Sequence, residues 1–450
     1  MFTPPFPEPL KKNAKALRRF LTSWKGWIHV HFEKSYTMKM GEIHVPRLDA
    51  YIPNELHLVD EVLLDRERVY PKHRLLKDMF DPLIGNSIFT VNGKEWDDQR
   101  QMVYPAFAHT RLESIFPVMK EAVDDLIARM TTLDLDKPVD VEPLMTHVAA
   151  DIIFRTIFSE ELDSAGAERI YKAFNRFQKT AQPGVLMKLY GLPGLGFNRR
   201  AQKAAEGVHS VFRPIVERRY RAYCETDDPG GEDILTTLLE ARHPDTRKPF
   251  TLQDLLNQIS FIFLAGHETS ASALSWAVYL LAECPQYQYA VLSELGAGPI
   301  DYQFIRNSKA LKHIFQETLR LYPPVSFFVR ETTRRTQMRD KQIEPGSMMV
   351  ISPWLIQRNK NNFPCPHAFD PQRFEDPDQA EACRRAYLPF GRGSRKCTGS
   401  GFALQEAMLA LASIVRNFQL SYPEGPKPMP VSRATLRSDK GIFVKLDPRA

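Results

Sequence analysis

The sequence predicts a mainly α protein with a minor β component, folded as one large domain spanning residues 1–450. Three observations predict it. Residues 251–283 form an unbroken helical pattern whose middle, FIFLAGHETSASALSWAVYLL, is apolar nearly all round, so this helix is central and buried. The strand-like pieces are short and few, at 37–53, 325–332 and 347–353. The residues with chemical potential are spread from Trp96 to Gly399. That spread argues against the roughly three domains that length alone suggests at about 150 residues each.

Taken in order, the first 70 residues or so are the strand-rich part. Residues 37–53 read as two short strands joined by a turn, and 54–67 as a helix. Residues 70–93 read as a loop, because Pro71, Pro82 and Gly85 punctuate them. Helical patterns follow from Glu95 and through 112–131, 144–158 and 164–178. Residues 182–198, with two prolines and four glycines among apolar groups, read as an apolar loop, and 225–233 as a polar one. The long helix starts at Thr251, three residues before Asp254, in a variant of the capping box, and stops at Pro285. At about 1.5 Å per residue it is roughly 50 Å long. A helix over 303–322 ends at Pro323-Pro324, and a last one runs from Gly399 to Phe418.

Composition is that of an ordinary globular protein, 43% hydrophobic and 25% charged. A net charge of +6 over 450 residues is too small to argue for nucleic acid. The five cysteines are odd in number and irregular in spacing, with no CxxC pair, which argues against a disulfide framework or a zinc site and for a reducing cytoplasm. The N-terminus has no apolar run long enough for a signal peptide or a membrane anchor. Residues 11–20 can form a basic amphipathic helix, either a solvated surface helix or one that touches a membrane surface.

Residues 390–399 read FGRGSRKCTG. Glycines at 391, 393 and 399 let the backbone turn tightly and approach a flat cofactor. Cys397 stands just before a helix and next to Arg395 and Lys396, a setting that lowers a thiol's pKa. A thiolate on haem iron favours O–O cleavage. Read alone, the loop could also be a helix cap that happens to carry a free cysteine. Residues 265–270, AGHETS, place a glycine and polar groups inside the buried helix, at a cost of about 1 kcal/mol for the glycine against alanine. Such a cost suggests a functional site. Gly266 would leave room for dioxygen, Thr269 would perturb the helix and hold a water, and Glu268 would feed protons to it. A zinc-protease reading of His267-Glu268 needs a histidine at 271, where the chain has Ala271.

These two segments resemble the cytochrome P-450 family. The pattern F-x-x-G-x-R-x-C-x-G is its haem-binding signature and is complete here, although Ser394 and Thr398 stand where proline and an aliphatic residue are common. AGHETS is similar to the family's acid–alcohol motif. The resemblance implies a haem-thiolate monooxygenase with heme b between the long helix and the cysteine loop. It implies Cys397 as iron ligand, Phe390, Gly391, Gly399 and Ala265 against the cofactor, and Glu268 and Thr269 as the proton-delivery pair. It implies haem carboxylates held by Arg395, Arg100, Trp96 and Arg330, although Trp96 can also be read as a core aromatic and Gln101 stands where a second arginine is common. Glu317 and Arg320, an E-x-x-R pair that could equally be a surface salt bridge, would join Arg373 as structural residues behind the haem.

The substrate wall would comprise Met79, Phe80, Leu83, Leu264, Ala265, Val325, Phe327 and Phe328, with Ile442 at a closing tip. Such a wall favours a small apolar molecule, for example a fatty acid, a terpenoid or an aromatic ether. About 50 residues follow the signature, with no room for a reductase, so the chain resembles soluble, cytoplasmic bacterial members. These take electrons from NAD(P)H through a separate ferredoxin or flavodoxin and its reductase, and a monomer is expected. Arg384, Arg385, Arg392 and Lys396 would suit an acidic donor, or form a merely solvated loop. A peroxide-using or isomerising enzyme, and a haem-binding sensor without activity, are the competing readings. The intact Glu268-Thr269 pair weighs against the first and the absence of any signalling extension against the second.

Overall fold

A computed structural model describes residues 1–11, 26–45, 47–108, 110–189, 197–375 and 377–449. The basic segment 11–20 lies, beyond Lys11, outside the described residues. Strands β1 (Met40–Val45) and β2 (Leu48–Pro53) form an antiparallel hairpin, with Met40 opposite Pro53 and Val45 opposite Leu48. The hairpin is completed by strands almost three hundred residues later. β7 (Met348–Ile351) lies parallel to β2, and β4 (Phe328–Glu331) antiparallel to β7, giving the order β1-β2-β7-β4. Three further small sheets use β3 (Val139–Asp140), β5 (Thr336–Met338), β6 (Lys341–Ile343), β8 (Phe418–Ser421), β9 (Pro430–Ser432), β10 (Leu436–Ser438) and β11 (Phe443–Pro448).

The helices carry the bulk of the chain. Those that position the site are α1 (Leu56–Leu64), α2 (Arg74–Ile84), α3 (Gly93–Val103), α4 (Phe116–Thr131), α5 (Val141–Phe158), α6 (Ser164–Leu189), α7 (Phe197–Thr226), α8 (Leu252–Glu283), α9 (Lys309–Leu321) and α10 (Ser400–Asn417). α8 is the long helix the sequence predicts. The Thr251 hydroxyl accepts from the Asp254 N–H at 3.2 Å, and the Thr251 N–H donates to the Asp254 carboxylate at 3.0 Å. This closes a reciprocal cap that fixes where the helix begins. α8 is buried for most of its length and runs beside α5, α7 and α10.

The structure corrects three expectations and adds one helix. Residues 74–84 are helical although they contain Pro82. That proline sits in the last turn, three residues before Gly85 (φ 43°) ends the helix, so its ring forfeits a single internal hydrogen bond. The apolar loop at 182–198 is in its first part a continuation of α6 through Leu189, and α7 resumes at Phe197; residues 190–196 lie outside the described ones. α7, which the sequence reading passed over, packs along α6 and carries Pro214 inside it. The helix expected over 303–322 is two, Tyr302–Asn307 and α9, divided at Ser308, whose hydroxyl caps α9 by accepting from the Leu311 N–H at 3.2 Å.

Behind the cysteine loop, Glu317 and Arg320 of α9 are fully buried, not a surface pair. Arg320 donates to both Glu317 oxygens at 2.7 and 2.8 Å and to the carbonyls of Gln357, Pro366 and Ala368. Arg373 reaches Glu317 at 3.0 Å. Gln357 extends the linkage, since its side-chain oxygen accepts from the Leu388 N–H at 2.7 Å. Leu388 then accepts from Gly391, and Phe390 from the Cys397 N–H at 2.9 Å. One α-helix is thereby wired, through a buried ion pair and a glutamine, to the loop that presents Cys397.

Candidate haem-thiolate site

Cys397 lies three residues before α10, and Gly399 is the N-cap of that helix. The cysteine has accessible surface although it sits deep within the protein, as a residue facing an internal space does. Burial pushes its thiol up. The Gly399 N–H, Arg100 and Lys396 pull it down without cancelling that effect. The sequence reading gave the acidifying role to Arg395 and Lys396. The structure replaces Arg395 with Arg100, whose guanidinium faces the sulfur and donates to the Lys396 carbonyl at 3.1 Å. A bound metal ion would complete the deprotonation, since coordination ionises a thiol outright.

The loop glycines divide into two kinds. Gly391 has φ 66° and open space where a side chain would stand, as a close approach by a flat ligand requires. Gly393 (φ 75°) is needed for packing: a Cβ there would lie 2.2 Å from the Leu63 carbonyl oxygen at the end of α1. Phe390 is half-buried against the main core.

On the other side of Cys397 lies a concentration of positive charge around Trp96. Lys72 Nζ, Arg100 and Arg395 stand 6.0, 6.0 and 5.1 Å from its ring. Arg330 is buried beside them, over the Phe328 ring at 5.4 Å. Burial first, and then the repulsion of the neighbouring arginines, lowers Lys72 to about 6; burial and Arg395 lower Arg330 to about 10. Among the described residues the carboxylate that enters this cluster is Asp65, which takes Arg395 Nη1 at 3.0 Å. Arg395 Nε is buried without a partner. Three arginines, a lysine that burial holds largely uncharged until an anion arrives, and one carboxylate leave an uncompensated site for anions. Heme b brings two carboxylates, and the donor set fits them. Lys72 was missed by the sequence reading: it precedes α2 with no motif around it, and only folding carries it to Trp96. It also borders an open cleft of about 750 Å³ lined by prolines and by polar and charged residues such as His73, Lys77, Asp78 and Glu331.

The distal face is a stripe on α8. In the middle of this mostly buried helix Phe261, Leu264, Ala265 and Thr269 retain accessible surface at the spacing of one helical face, with Gly266 at its edge. Phe261 stacks on Phe89 (5.4 Å), and Phe89 meets the edge of Phe80 (5.5 Å), so the apolar wall continues to α2, where Met79 is also half-buried. Phe89 and Phe261 were not among the expected wall residues. Val325 is exposed and Phe327 half-buried, 4.9 Å from Trp27.

Three expected wall residues are placed elsewhere. Leu83 is fully buried in the core, with its carbonyl taken by the His209 ring at 2.7 Å. Phe328 packs on the second core cluster, across the sheet from Phe327, as strand alternation requires. Ile442 is wholly buried beside the start of α5, where its N–H donates to Asp140 and its carbonyl accepts from Val141. The turn between β9 and β10 stands against α8 and Pro324–Ser326 in its place, through Leu436 N–H to the Pro324 carbonyl and through Ser326 to Ser432 at 2.8 Å.

Gly266 also has a different function from the expected one. A Cβ there would lie 2.9 Å from Ile153 of α5, so the glycine serves helix–helix approach and not space for a ligand. The Thr269 hydroxyl donates to the Ala265 carbonyl at 2.6 Å. Glu268 turns the other way. Its carboxylate accepts from Arg437 at 2.8 and 3.2 Å and from Thr435 at 2.8 Å. Burial alone would raise this carboxyl, but Arg437, His267 and those hydrogen bonds hold it below its usual range. On the opposite surface, the basic loop is largely neutralised. Arg385 and Arg392 share Asp60, and Arg384 pairs with Glu381 at 2.7 Å.

Comparison with known proteins agrees with this geometry. The sequence profile of the family described as Cytochrome P450 matches residues 4–446. Cyclooctatin synthase of Streptomyces melanosporofaciens is 31% identical over 88% of this chain and 86% of its own length. Cyclooctat-9-en-7-ol 5-monooxygenase of the same organism is 29% identical over 84% and 82%, and pentalenene oxygenase of Streptomyces avermitilis 26% over 93% of each. Among solved structures, the haem domain of cytochrome P450DA superposes with a TM-score of 0.81, at 20% identity, over 100% of this chain and 98% of that one.

Proposed function

This chain belongs to the cytochrome P450 family, the haem-iron monooxygenases, and from that premise we propose that it inserts one oxygen atom from O2 into an apolar terpene, by hydroxylation or oxidative dealkylation. Electrons come from NAD(P)H through a separate ferredoxin or flavodoxin and its reductase. The observation that carries this reading is the accessible stripe Phe261, Leu264, Ala265 and Thr269 in the middle of a mostly buried helix, with Cys397 accessible deep in the same molecule. The relatives that act on cyclooctat-9-en-7-ol and pentalenene favour a terpene over the other apolar classes.

Haem, when bound, supplies an iron at which dioxygen is activated, and a cysteine thiolate on it favours O–O cleavage. Each further part falls to the protein. Cys397 is the ligand. Arg100, Arg330, Arg395 and Lys72 hold the cofactor's carboxylates, and Trp96 keeps three of those cations in place. The aromatic and aliphatic wall excludes water and orients an apolar substrate by shape. Thr269 gives its hydroxyl proton to the Ala265 carbonyl and keeps its lone pairs free to accept from a water or an acid, which makes it the last proton-handling group before the substrate space. Glu268 is its acidic neighbour. Glu317, Arg320 and Arg373 hold the loop in shape. No helix among the described residues is long and apolar enough to cross a membrane.

The test is the absorption spectrum of the reduced protein with carbon monoxide, followed by titration with cyclic terpenes, fatty acids and aromatic ethers. A strongly red-shifted Soret band that disappears in Cys397→Ala, with a spin-state change on terpene addition, is the expected result. A band typical of histidine or neutral-thiol ligation overturns the ligand assignment. Turnover with peroxide alone, without oxygen consumption driven by a ferredoxin system, overturns the monooxygenase reading.

A further inference from the structure

The acid and the alcohol of the distal helix do not touch one another's functional groups. Thr269 is bonded to its own helix, whereas every hydrogen bond of the Glu268 carboxylate goes to the β9–β10 hairpin. We propose that Arg437 is a positioning residue for proton delivery: it holds the Glu268 carboxylate turned toward the hairpin, and that carboxylate serves Thr269 only when the hairpin lets go. The inference rests on the monooxygenase reading above and adds to it the element that controls the acid.

The hairpin is built to couple two regions. On one side its turn touches the substrate wall, with Leu436 N–H on the Pro324 carbonyl and Ser432 on Ser326. On the other it grips α8 at three places. Ser272 and Trp276 donate to the Leu436 carbonyl at 2.6 and 3.0 Å, and Arg437 and Thr435 take Glu268. Arg437 also donates to Thr146 of α5 at 3.3 Å, and the Ser438 N–H donates to Glu142. A ligand that displaces the turn therefore moves the two groups that occupy Glu268.

The electrostatic surroundings of Glu268 are few. His267 precedes it on its own helix, Arg437 and Thr435 face it from the hairpin, and Glu142 of α5 and Tyr171 of α6 face Arg437. Burial already holds His267 uncharged at neutral pH, its pKa lowered to about 4. Arg437 is then the cation that keeps Glu268 ionised. Once released, the carboxylate takes a proton from water and becomes a neutral acid. It passes that proton to the Thr269 oxygen while the Thr269 hydroxyl proton moves onward, and reprotonation from water restores the acid.

The experiment uses the haem-loaded full chain and the variants Arg437→Met, Arg437→Lys, Ser272→Ala, Glu268→Gln and Arg437→Met/Glu268→Gln. The reduced carbon monoxide spectrum is recorded first. Its failure in the wild type would remove the monooxygenase reading itself, and its retention in the variants shows that the fold and cofactor are intact. Infrared difference spectra come next. Arg437→Met is expected to gain the carbonyl band of a buried protonated carboxylic acid, shifted in heavy water. That band is absent in the wild type, in Arg437→Lys and in the double variant. Finally, kcat is followed against pH. The wild type and Arg437→Lys are expected to be flat between about pH 6 and 9, while in Arg437→Met kcat falls about tenfold or more across that range with KM within about twofold. Ser272→Ala, which loosens the hairpin from α8, shifts the profile the same way by less. The proposal is overturned if Arg437→Met gains no acid band, if the band survives in the double variant, or if its pH profile superimposes on that of the wild type. An unchanged Ser272→Ala profile overturns the coupling to the hairpin.

Discussion

Gly266 and Ile153 are fitted to each other across the α8–α5 contact: a methyl group added to Gly266 would stand 2.9 Å from Ile153 Cγ1 and 3.0 Å from Cδ1. The glycine in the middle of the central helix is thus explained by a neighbour about one hundred residues earlier in the chain.

Gly266→Ala should therefore destabilise the fold. Overpacking of this kind costs about 1–3 kcal/mol, partly offset by roughly 1 kcal/mol of better helix propensity. Adding Ile153→Ala, which removes the clashing atoms, should recover part of the loss, with a coupling energy of about 1 kcal/mol in a double-mutant cycle. Urea denaturation of the four proteins measures this, and strict additivity would refute the contact.

Removing one member of the buried ion pair behind the cysteine loop should be far more damaging than removing a surface pair. Glu317→Gln leaves the Arg320 and Arg373 cations without their carboxylate inside the protein, an effect of about 3–5 kcal/mol. Because Gln357 links the same corner to Leu388, haem occupancy after expression should fall with stability. A variant as stable and as haem-loaded as the wild type would show that the loop does not depend on this anchor.

Glu406 of α10 is fully buried and neither carboxyl oxygen has a hydrogen-bond partner of normal geometry, although the Ser270 hydroxyl lies beside it. Burial pushes its pKa from 4.5 up to about 8. The folded protein thus binds this proton more tightly than the unfolded chain does. Below about pH 4.5 both states are protonated and nothing is lost. Stability falls as pH rises through 8, by roughly 5 kcal/mol at most. Glu406→Gln should abolish that fall, so the variant gains on the wild type at pH 9 relative to pH 5. Parallel stability–pH curves for the two proteins would contradict the burial argument.

The cation cluster should be a burden without its ligand and an asset with it. Lys72, with a pKa lowered to about 6, binds its proton less tightly in the folded protein than in the unfolded one. Stability of the haem-free protein should rise with pH from about 6 toward 10. Lys72→Met should stabilise the haem-free protein at neutral pH by about 1–3 kcal/mol. It should also speed haem loss from the loaded protein, measured by transfer to an apo-globin acceptor. A Lys72→Met protein that is destabilised in the haem-free state would indicate that the cluster is already neutralised.

The parts of this protein that are legible in the sequence are those made by consecutive residues. The FGRGSRKCTG loop, the AGHETS segment and the E-x-x-R pair each place their groups through one turn or one helical repeat, so spacing alone carries them. The Thr251–Asp254 cap and Pro285 fix the two ends of α8 by the same local rules. Local rules also explain the misses. Pro82 and Gly85 signal a loop in any window, yet α2 tolerates the proline in its last turn. Ser308 divides a continuous apolar pattern by capping the second helix.

The sequence by itself determined the chain's family, its predominantly helical architecture and the cysteine that we propose as the iron ligand. Only the tertiary structure decided what each of those residues faces. It brought Lys72 to Trp96, set Gly266 against Ile153, buried Leu83 and Ile442 in the core, and gave Glu268 to Arg437 rather than to Thr269. The physical reason is one of range. A turn or a helical repeat is fixed by interactions a few residues apart, whereas desolvation and charge pairing are set by whichever side chains the fold packs together, and those come from positions that no spacing rule connects.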